Sequence, residues 1–248
     1  MDNEARFRYR YGEDAKMARF RASTHCQLND MPKLINALAR RNALSYWNKG
    51  PFEHFTRMSQ KKQRLSVTTI TAVLAREIIV AGGCPGEKWF EIGGQAHRFG
   101  KQEFMLVTGL RFGKLNYNVM KEKTGWEGSV HARYFGSRPV KPKDIMDRLL
   151  NAEHQMTPED ALKMAYVFVV GAVLIGKDNR KSIWGWLWYL VEDLKSFKKF
   201  PWGTLSYSLL IHYLDLVLRP QYFDEANRDH EFNINIYGFA WVVQVYYV

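Results

Sequence analysis

The longest apolar stretch of the chain constrains the fold most strongly. It runs over 13 residues, from Met164 to Gly176, whereas a helix that crosses a lipid bilayer needs about 20. An apolar segment of this length is typical of a helix that is buried inside a protein. We therefore predict a globular protein without a membrane span, built around a central helix at about residues 158–176.

Local signals predict where the helices begin. Thr157 precedes Pro158 and two acidic residues, an arrangement that favours a helix start because Pro fits the first turn and acids face the positive helix end. Asp30 and Ser66 stand where helix N-caps are expected. From these starts and the apolar periodicity we predict further helices over about 30–47, 67–80, 183–197 and 205–219.

A second pattern predicts a small piece of β-structure. Two short β-prone runs, Trp89–Ile92 and Gln95–Phe99, flank Gly93-Gly94, and paired glycines favour a tight hairpin. A short helix with Leu106 on its apolar face then ends at Gly109. The fold class predicted is α+β and mainly α-helical: a multi-helix globular domain with a small β-hairpin (about 89–99) packed beside helices. We place a basic and aromatic arm at residues 1–25, and a single helical domain at 26–248 that contains the hairpin–helix motif (89–110).

Positive charge is concentrated in the front of the chain. The formal net charge is +11, and residues 151–248 contribute −2 of it, so the excess lies in residues 1–150. A basic region of this kind attracts phosphate backbones or acidic proteins. A solvated face that only keeps the protein in solution is the other interpretation.

Several cations are candidate contacts for nucleic acid or for an acidic protein surface. Arginine alternates with aromatic residues near the start, as in proteins that stack on unpaired bases, although an edge strand or a fraying terminus has the same pattern. The run at residues 61–64 resembles a nuclear-localisation signal or a basic loop. The polar segment 114–143 is a third place to expect a ligand. The candidate binding residues are Arg8, Arg10, Arg40, Arg41, Lys61, Lys62, Arg64, Arg133, Arg138 and Lys141.

Catalytic and metal-binding patterns are missing from the sequence. The two cysteines, Cys26 and Cys84, and the scattered histidines do not follow the spacing of a metal site. Few cysteines and a start without an apolar run indicate an intracellular protein. We therefore expect no cofactor, no metal, no catalytic residue and an intracellular, nuclear location.

One stretch resembles a known family. WFEIGGQAHRFGKQEFMLVTGLRFG, at residues 89–113, is similar to the signature of a plant domain of unknown function that occurs in transposon-derived genes. Supporting segments are Gly50–Phe55, Gly171–Gly176 and Tyr237–Val245, so the resemblance covers about residues 30–248. Members typically lie upstream of an Ulp1-type (SUMO-protease-like) cysteine peptidase domain. The resemblance implies that any peptidase lies outside these residues, because neither cysteine here has the peptidase's sequence context.

The sequence thus favours a non-catalytic binding module that contacts nucleic acid or a protein partner through its basic N-terminal half. The alternative is a protein-interaction or substrate-presenting domain for a linked Ulp1-like peptidase. An enzyme of another type stays a third possibility, which the residues do not support.

Overall fold

The computed structural model describes residues 7–12, 20–60, 65–121, 127–176, 178, 180–217 and 232–247. The chain divides into two compact units. The first unit comprises Met1–Thr24, Arg64–Gly109 and Ser206–Val248, and the second comprises His25–Gln63 and Leu110–Leu205. The arm and single domain expected from the sequence, with a boundary at residue 25, stay a prediction.

The first unit combines short strands with helices. Its elements are β1 (Phe20–Thr24), α4 (Val67–Leu74), β2 (Lys88–Ile92), β3 (Gln95–Phe99), α5 (Lys101–Thr108), most of α11 (Trp202–Val217), β4 (Phe232–Ile236) and α12 (Trp241–Tyr247). Strands β1 and β4 pair in parallel. Strands β2 and β3 form the predicted antiparallel hairpin.

The second unit is helical in its described part. Its α-helices are α1 (Met31–Arg40), α2 (Leu44–Trp47), α3 (Glu53–Gln60), α6 (Val130–Phe135), α7 (Pro142–Leu150), α8 (Pro158–Phe168), α9 (Gly185–Leu190) and α10 (Leu194–Lys199). Short 3₁₀ turns lie at Leu28–Asp30 and Val119–Lys121, and α8 continues as a π-helix over Val169–Leu174. The α+β, mainly helical fold class is confirmed.

Helix α8 and its π-helical continuation form the buried centre of the second unit. Every residue from Asp160 to Leu174 is buried, which confirms the prediction made from the apolar stretch. The Thr157 side chain accepts a hydrogen bond from the Asp160 backbone at 3.1 Å, so the predicted start is also correct. Among the described helices, none combines the length and the apolar character needed to cross a bilayer.

An aromatic cluster packs against α8. Phe52 lies near its centre, with ring centroids 5.6 Å from Tyr166, 6.2 Å from Phe197 and 6.2 Å from Trp202. The rings of Tyr166 and Phe197 are stacked 5.3 Å apart. Phe52, Tyr166 and Phe197 have no measurable exposure to solvent. The Gly50-Pro51-Phe52 segment therefore contributes a side chain to the hydrophobic core.

The hairpin follows its local sequence closely. Gly93 and Gly94 take φ values of 59° and 78°, which residues with a side chain rarely adopt. The Gly100 N–H donates to Glu103 Oε2 at 2.7 Å, and α5 ends at Gly109 with φ 60°. Leu106, however, is 78 % exposed, so its predicted place on the apolar face is wrong.

Three predicted helices are shorter than their apolar pattern suggested. The helix predicted to reach residue 47 ends at Arg40, because Asn42 adopts a positive φ of 58°. The helix predicted over 183–197 is divided into α9 and α10, where the Asp193 side chain caps the second helix. Helix α4 ends at Leu74 instead of residue 80, because residues 76–79 pair as a strand with β2.

Isolated antiparallel bridges place two further segments beside the two-stranded hairpin. The Ile78 N–H donates to the Trp89 carbonyl at 2.8 Å, and the Ile79 N–H donates to the Arg8 carbonyl at 2.8 Å. The order of these segments is therefore residues 8–10, residues 76–79, β2 and β3.

Candidate anion-binding site

Two exposed cations among the predicted binding residues, Arg138 and Lys141, lie between α6 and α7. We call residues 136–143, with the sequence Gly-Ser-Arg-Pro-Val-Lys-Pro-Lys, the basic loop. Its three cations, Arg138, Lys141 and Lys143, are exposed. Gly136 ends α6 with a φ of 64°, and Pro142 is the first residue of α7. The chain therefore presents three positive charges within six residues.

The backbone of the basic loop is fixed at two points. The Val140 carbonyl accepts from the Ile183 N–H at 2.7 Å, and the Lys141 N–H donates to Asp144 Oδ2 at 2.8 Å. A backbone held in this way presents its cations without the entropic cost of ordering a loose loop.

The aromatic residues beneath the loop explain its position. Phe135 is buried, and the guanidinium groups of Arg138 and Arg148 lie 5.5 and 5.6 Å from its ring centroid. Arg148 also donates to the Tyr134 carbonyl at 2.7 Å. Cation–π contacts of this kind hold an arginine in place while its outer face stays in water.

The charge of the loop is only partly neutralised by the protein. Arg138 lies 3.9 Å from Asp144, at the outer limit of an ion pair. Lys141 and Lys143 have no acidic partner within 4.0 Å among the described residues. The loop thus offers at least two uncompensated cations to an anionic ligand.

His131 gives the loop a pH-dependent support. The ring is buried between Phe135 and Trp188, with centroids 6.2 and 5.2 Å away. Burial lowers the pKa of His131 below its ordinary value of 6.5, and the nearby Arg138 charge acts in the same direction. The folded protein therefore favours the neutral ring.

We expect this histidine to make the protein less stable in mild acid. Because the unfolded chain takes up the proton near pH 6.5 and the folded chain resists it, the His131 contribution is complete above that pH. It is lost as the pH falls from 6.5 towards the lowered pKa of the folded state. Replacing His131 by Gln keeps a hydrogen-bond donor and removes the titration. Thermal unfolding between about pH 7 and pH 5 should show a smaller decrease in Tm for the variant; equal decreases would contradict the assignment.

Three of the other predicted binding cations make contacts within the protein. Arg133 pairs with Asp160 and the Gly128 carbonyl. Arg10 donates to Glu77 at 2.8 Å. Arg41 donates to the carbonyls of Leu149, Asn151 and His154, and so satisfies the backbone after the end of α7. These guanidinium groups are engaged within the chain.

The remaining candidates are dispersed. Arg40 is exposed beside Arg41, which contacts the carboxyl end of α7, while the basic loop adjoins the amino end of that nine-residue helix. A helix of this length separates its ends by about 13 Å. Arg8 is exposed and belongs to the other unit. Lys61, Lys62 and Arg64 lie outside the described residues.

Two residues of the candidate site, Lys143 and His131, were not predicted from the sequence. Lys143 was omitted, although Pro142 signals a helix start and so places the next residue on the exposed first turn. His131 was not assigned to any site because a single histidine carries no pattern. Helix α6, within the segment 114–143, was also missed; its signal was Ser129, whose side chain accepts from the Ala132 N–H at 3.2 Å.

The Cys26 thiol is not arranged as a nucleophile in the described structure. Cys26 donates to the Val173 carbonyl at 3.2 Å, and burial raises the pKa of its thiol to about 12. At neutral pH that group is a thiol, whereas a nucleophilic cysteine is a thiolate. Cys84 is exposed. Within the described residues, no three His, Cys, Asp or Glu side chains come together in a way that suits a metal ion.

These features define a mainly helical α+β protein that carries an exposed basic loop. The chain belongs to the family described as a domain of unknown function (DUF1985), whose model matches residues 74–213. The match includes both the hairpin and the basic loop, and it confirms the predicted membership of a domain family of unknown function. No curated protein and no solved structure matches the chain.

Proposed function

We propose that this chain is a non-catalytic binding module whose basic loop holds the phosphate backbone of a nucleic acid. The observation that supports this most directly is the anchored, exposed and incompletely neutralised set Arg138, Lys141 and Lys143. Lysine and arginine side chains held in this way neutralise phosphates and release their counterions. The guanidinium groups of Arg10, Arg41 and Arg133 already bond to groups of the protein. They are therefore less available to a ligand than the cations of the basic loop.

Two features favour backbone contact over the reading of bases. The loop lies on a short connection and not on an extended helix that could enter a major groove. Its cations are flanked by prolines, and Lys141 has an extended backbone before Pro142. Contacts of this kind fix a protein on nucleic acid without specifying a sequence. We therefore propose little dependence on base sequence.

The non-catalytic part of the proposal has support from Cys26. Its half-buried thiol donates to a carbonyl and is protonated at neutral pH. In the wider setting that the family resemblance implies, the module belongs to a plant transposon-derived protein and acts in the nucleus beside a linked Ulp1-type peptidase domain. That setting is part of the proposal.

Salt-dependent binding tests the proposal. Fluorescence anisotropy with labelled duplex DNA, single-stranded DNA and RNA, at about 50 and 200 mM salt, should show affinity that falls steeply as salt increases. In a triple variant with Arg138→Gln, Lys141→Gln and Lys143→Gln, the slope of log K against log salt for duplex DNA should decrease by about 2 to 3, because each lost phosphate contact removes about 0.9.

A matched variant separates the loop from net charge. Lys195, Lys198 and Lys199 are exposed on α10, and their replacement by Gln removes the same charge. This control should keep the original slope. Absence of binding at low salt, or an equal loss in both triple variants, would refute the role of the basic loop. A protein that binds the chain and loses affinity only in the loop variant would favour an acidic protein surface instead.

A further inference from the structure

Strand β3 is an edge of the antiparallel sheet. Trp89 and Glu91 of β2 direct their backbone groups to residues 76–78, so the alternate residues of β2 face β3. The register pairs Phe90 with His97 and Ile92 with Gln95. Since backbone groups alternate in direction along a strand, Ala96 and Arg98 direct theirs away from the sheet.

These outward backbone groups are unpaired in the described structure. Among the described residues, neither the N–H nor the C=O of Ala96 or Arg98 has a hydrogen-bond partner. Gln95 and Ala96 are exposed, and Arg98 is half-buried. Unpaired donors and acceptors in a row form a template to which another strand can add. The edge therefore offers up to four backbone hydrogen bonds.

A cleft adjoins the carboxyl end of this edge. It has a volume of about 300 Å³ and is lined by Cys84, Pro85, Gly86, Glu87, Arg98, Lys101, Gln102 and Tyr207. Arg98 belongs to both features, since its backbone lies on the free edge and its side chain lines the cleft. A strand added to β3 would therefore reach Arg98, which lines this cleft.

One cation beside the cleft, Lys101, is not neutralised by a described acid. Arg98 lies 2.8 Å from Glu103 and 3.6 Å from Glu87, so two acids face it. Lys101 is exposed and has no acidic partner within 4.0 Å in the described part of the chain. It is the cation that a carboxylate entering the cleft would meet.

We propose that β3 binds an extended peptide segment of another protein by strand addition, with an acidic side chain of that peptide entering the cleft beside Lys101. Main-chain hydrogen bonds to Ala96 and Arg98 supply affinity, and the cleft supplies specificity. This surface belongs to the first unit, whereas the basic loop belongs to the second. The proposal does not depend on the proposed nucleic-acid function.

A displayed library of random peptides of about seven residues is the probe, selected on the 248-residue chain. The selected peptides should be rich in β-prone residues, carry at least one Asp or Glu, and lack central proline. A library that yields no binder, or binders without an acidic residue, would overturn the proposal.

Variants of the edge locate the binding. Ala96→Pro removes an outward N–H that β2 does not use, so an edge strand tolerates it. We expect the affinity of the selected peptides to decrease about tenfold, as for the loss of one or two backbone hydrogen bonds. Ala96→Thr keeps the N–H and should bind normally. Lys101→Glu should reverse the preference towards basic peptides. Equal binding by the Pro variant, or an unchanged charge preference, would contradict the model of binding.

Amide hydrogen exchange on the unmodified chain provides a measurement that does not require a variant to fold. In the free protein the Ala96 and Arg98 amides should exchange quickly, and the His97 amide slowly. A selected peptide should slow the first two; unchanged exchange would refute strand addition. Sedimentation distinguishes the other occupant, a second copy of this chain. A dimer that Ala96→Pro dissociates would assign the edge to self-association and overturn the peptide proposal.

Discussion

Replacing Glu77 by Gln should destabilise the protein by about 3 to 5 kcal/mol, because the change removes one partner of a buried ion pair. Glu77 and Lys88 are 4 % and 2 % exposed. The Lys88 ammonium lies 3.1 Å from both Glu77 carboxylate oxygens, and Arg10 donates to the same carboxylate at 2.8 Å. The variant leaves the buried ammonium with the half-exposed Asp215, 2.8 Å away.

Urea unfolding measures this effect. The exposed pair between Arg57 and Glu53, at 2.9 Å, provides the control, and Glu53→Gln should cost only about 0.3 to 0.5 kcal/mol. The double variant Glu77→Leu and Lys88→Met should recover much of the lost stability, because it removes both buried charges. If Glu77→Gln costs no more than the control, the buried pair does not stabilise the first unit.

Replacing Phe52 by Ala should destabilise the second unit by about 3 to 5 kcal/mol. Phe52 is fully buried and contacts the rings of Tyr166, Phe197 and Trp202. Removal of its ring leaves a cavity among large rigid side chains, which cannot move inward to fill the space. The lost aromatic contacts increase the cost further.

A graded series tests the packing explanation. Phe52→Leu keeps most of the volume and should cost less than half as much as Phe52→Ala. Tyr46→Ala is the surface control, because Tyr46 is 56 % exposed, and it should change stability by less than about 0.5 kcal/mol. The urea midpoint should decrease least for Tyr46→Ala, more for Phe52→Leu and most for Phe52→Ala. Equal effects of Leu and Ala would show that ring volume at residue 52 is unimportant.

The candidate site was predictable in outline. Its segment was expected to carry a ligand, and Arg138 and Lys141 were named from their charge. The sequence could not separate these from Arg41 and Arg133, because all four are cations in basic segments. These cations differ in their hydrogen-bond partners in the folded protein. Arg41, for example, donates to the His154 carbonyl, 113 positions along the chain. That β2 is covered and β3 is left as the edge likewise depends on residues 76–79, which contact β2 and which the sequence assigned to a helix.

The sequence alone determined the features that depend on neighbouring residues. The hairpin at Gly93-Gly94, the helix starts at Ser66 and Thr157 and the buried helix α8 follow from allowed φ values, local hydrogen bonds and apolar spacing, which act over a few positions. The tertiary structure alone decided that α4 ends at Leu74 and that Glu77, within the helix predicted over about 67–80, is buried against Lys88 and Arg10. Arg10 and Glu77 are 67 positions apart. A partnership over that distance exists only once the chain has folded, because no local preference links the two residues.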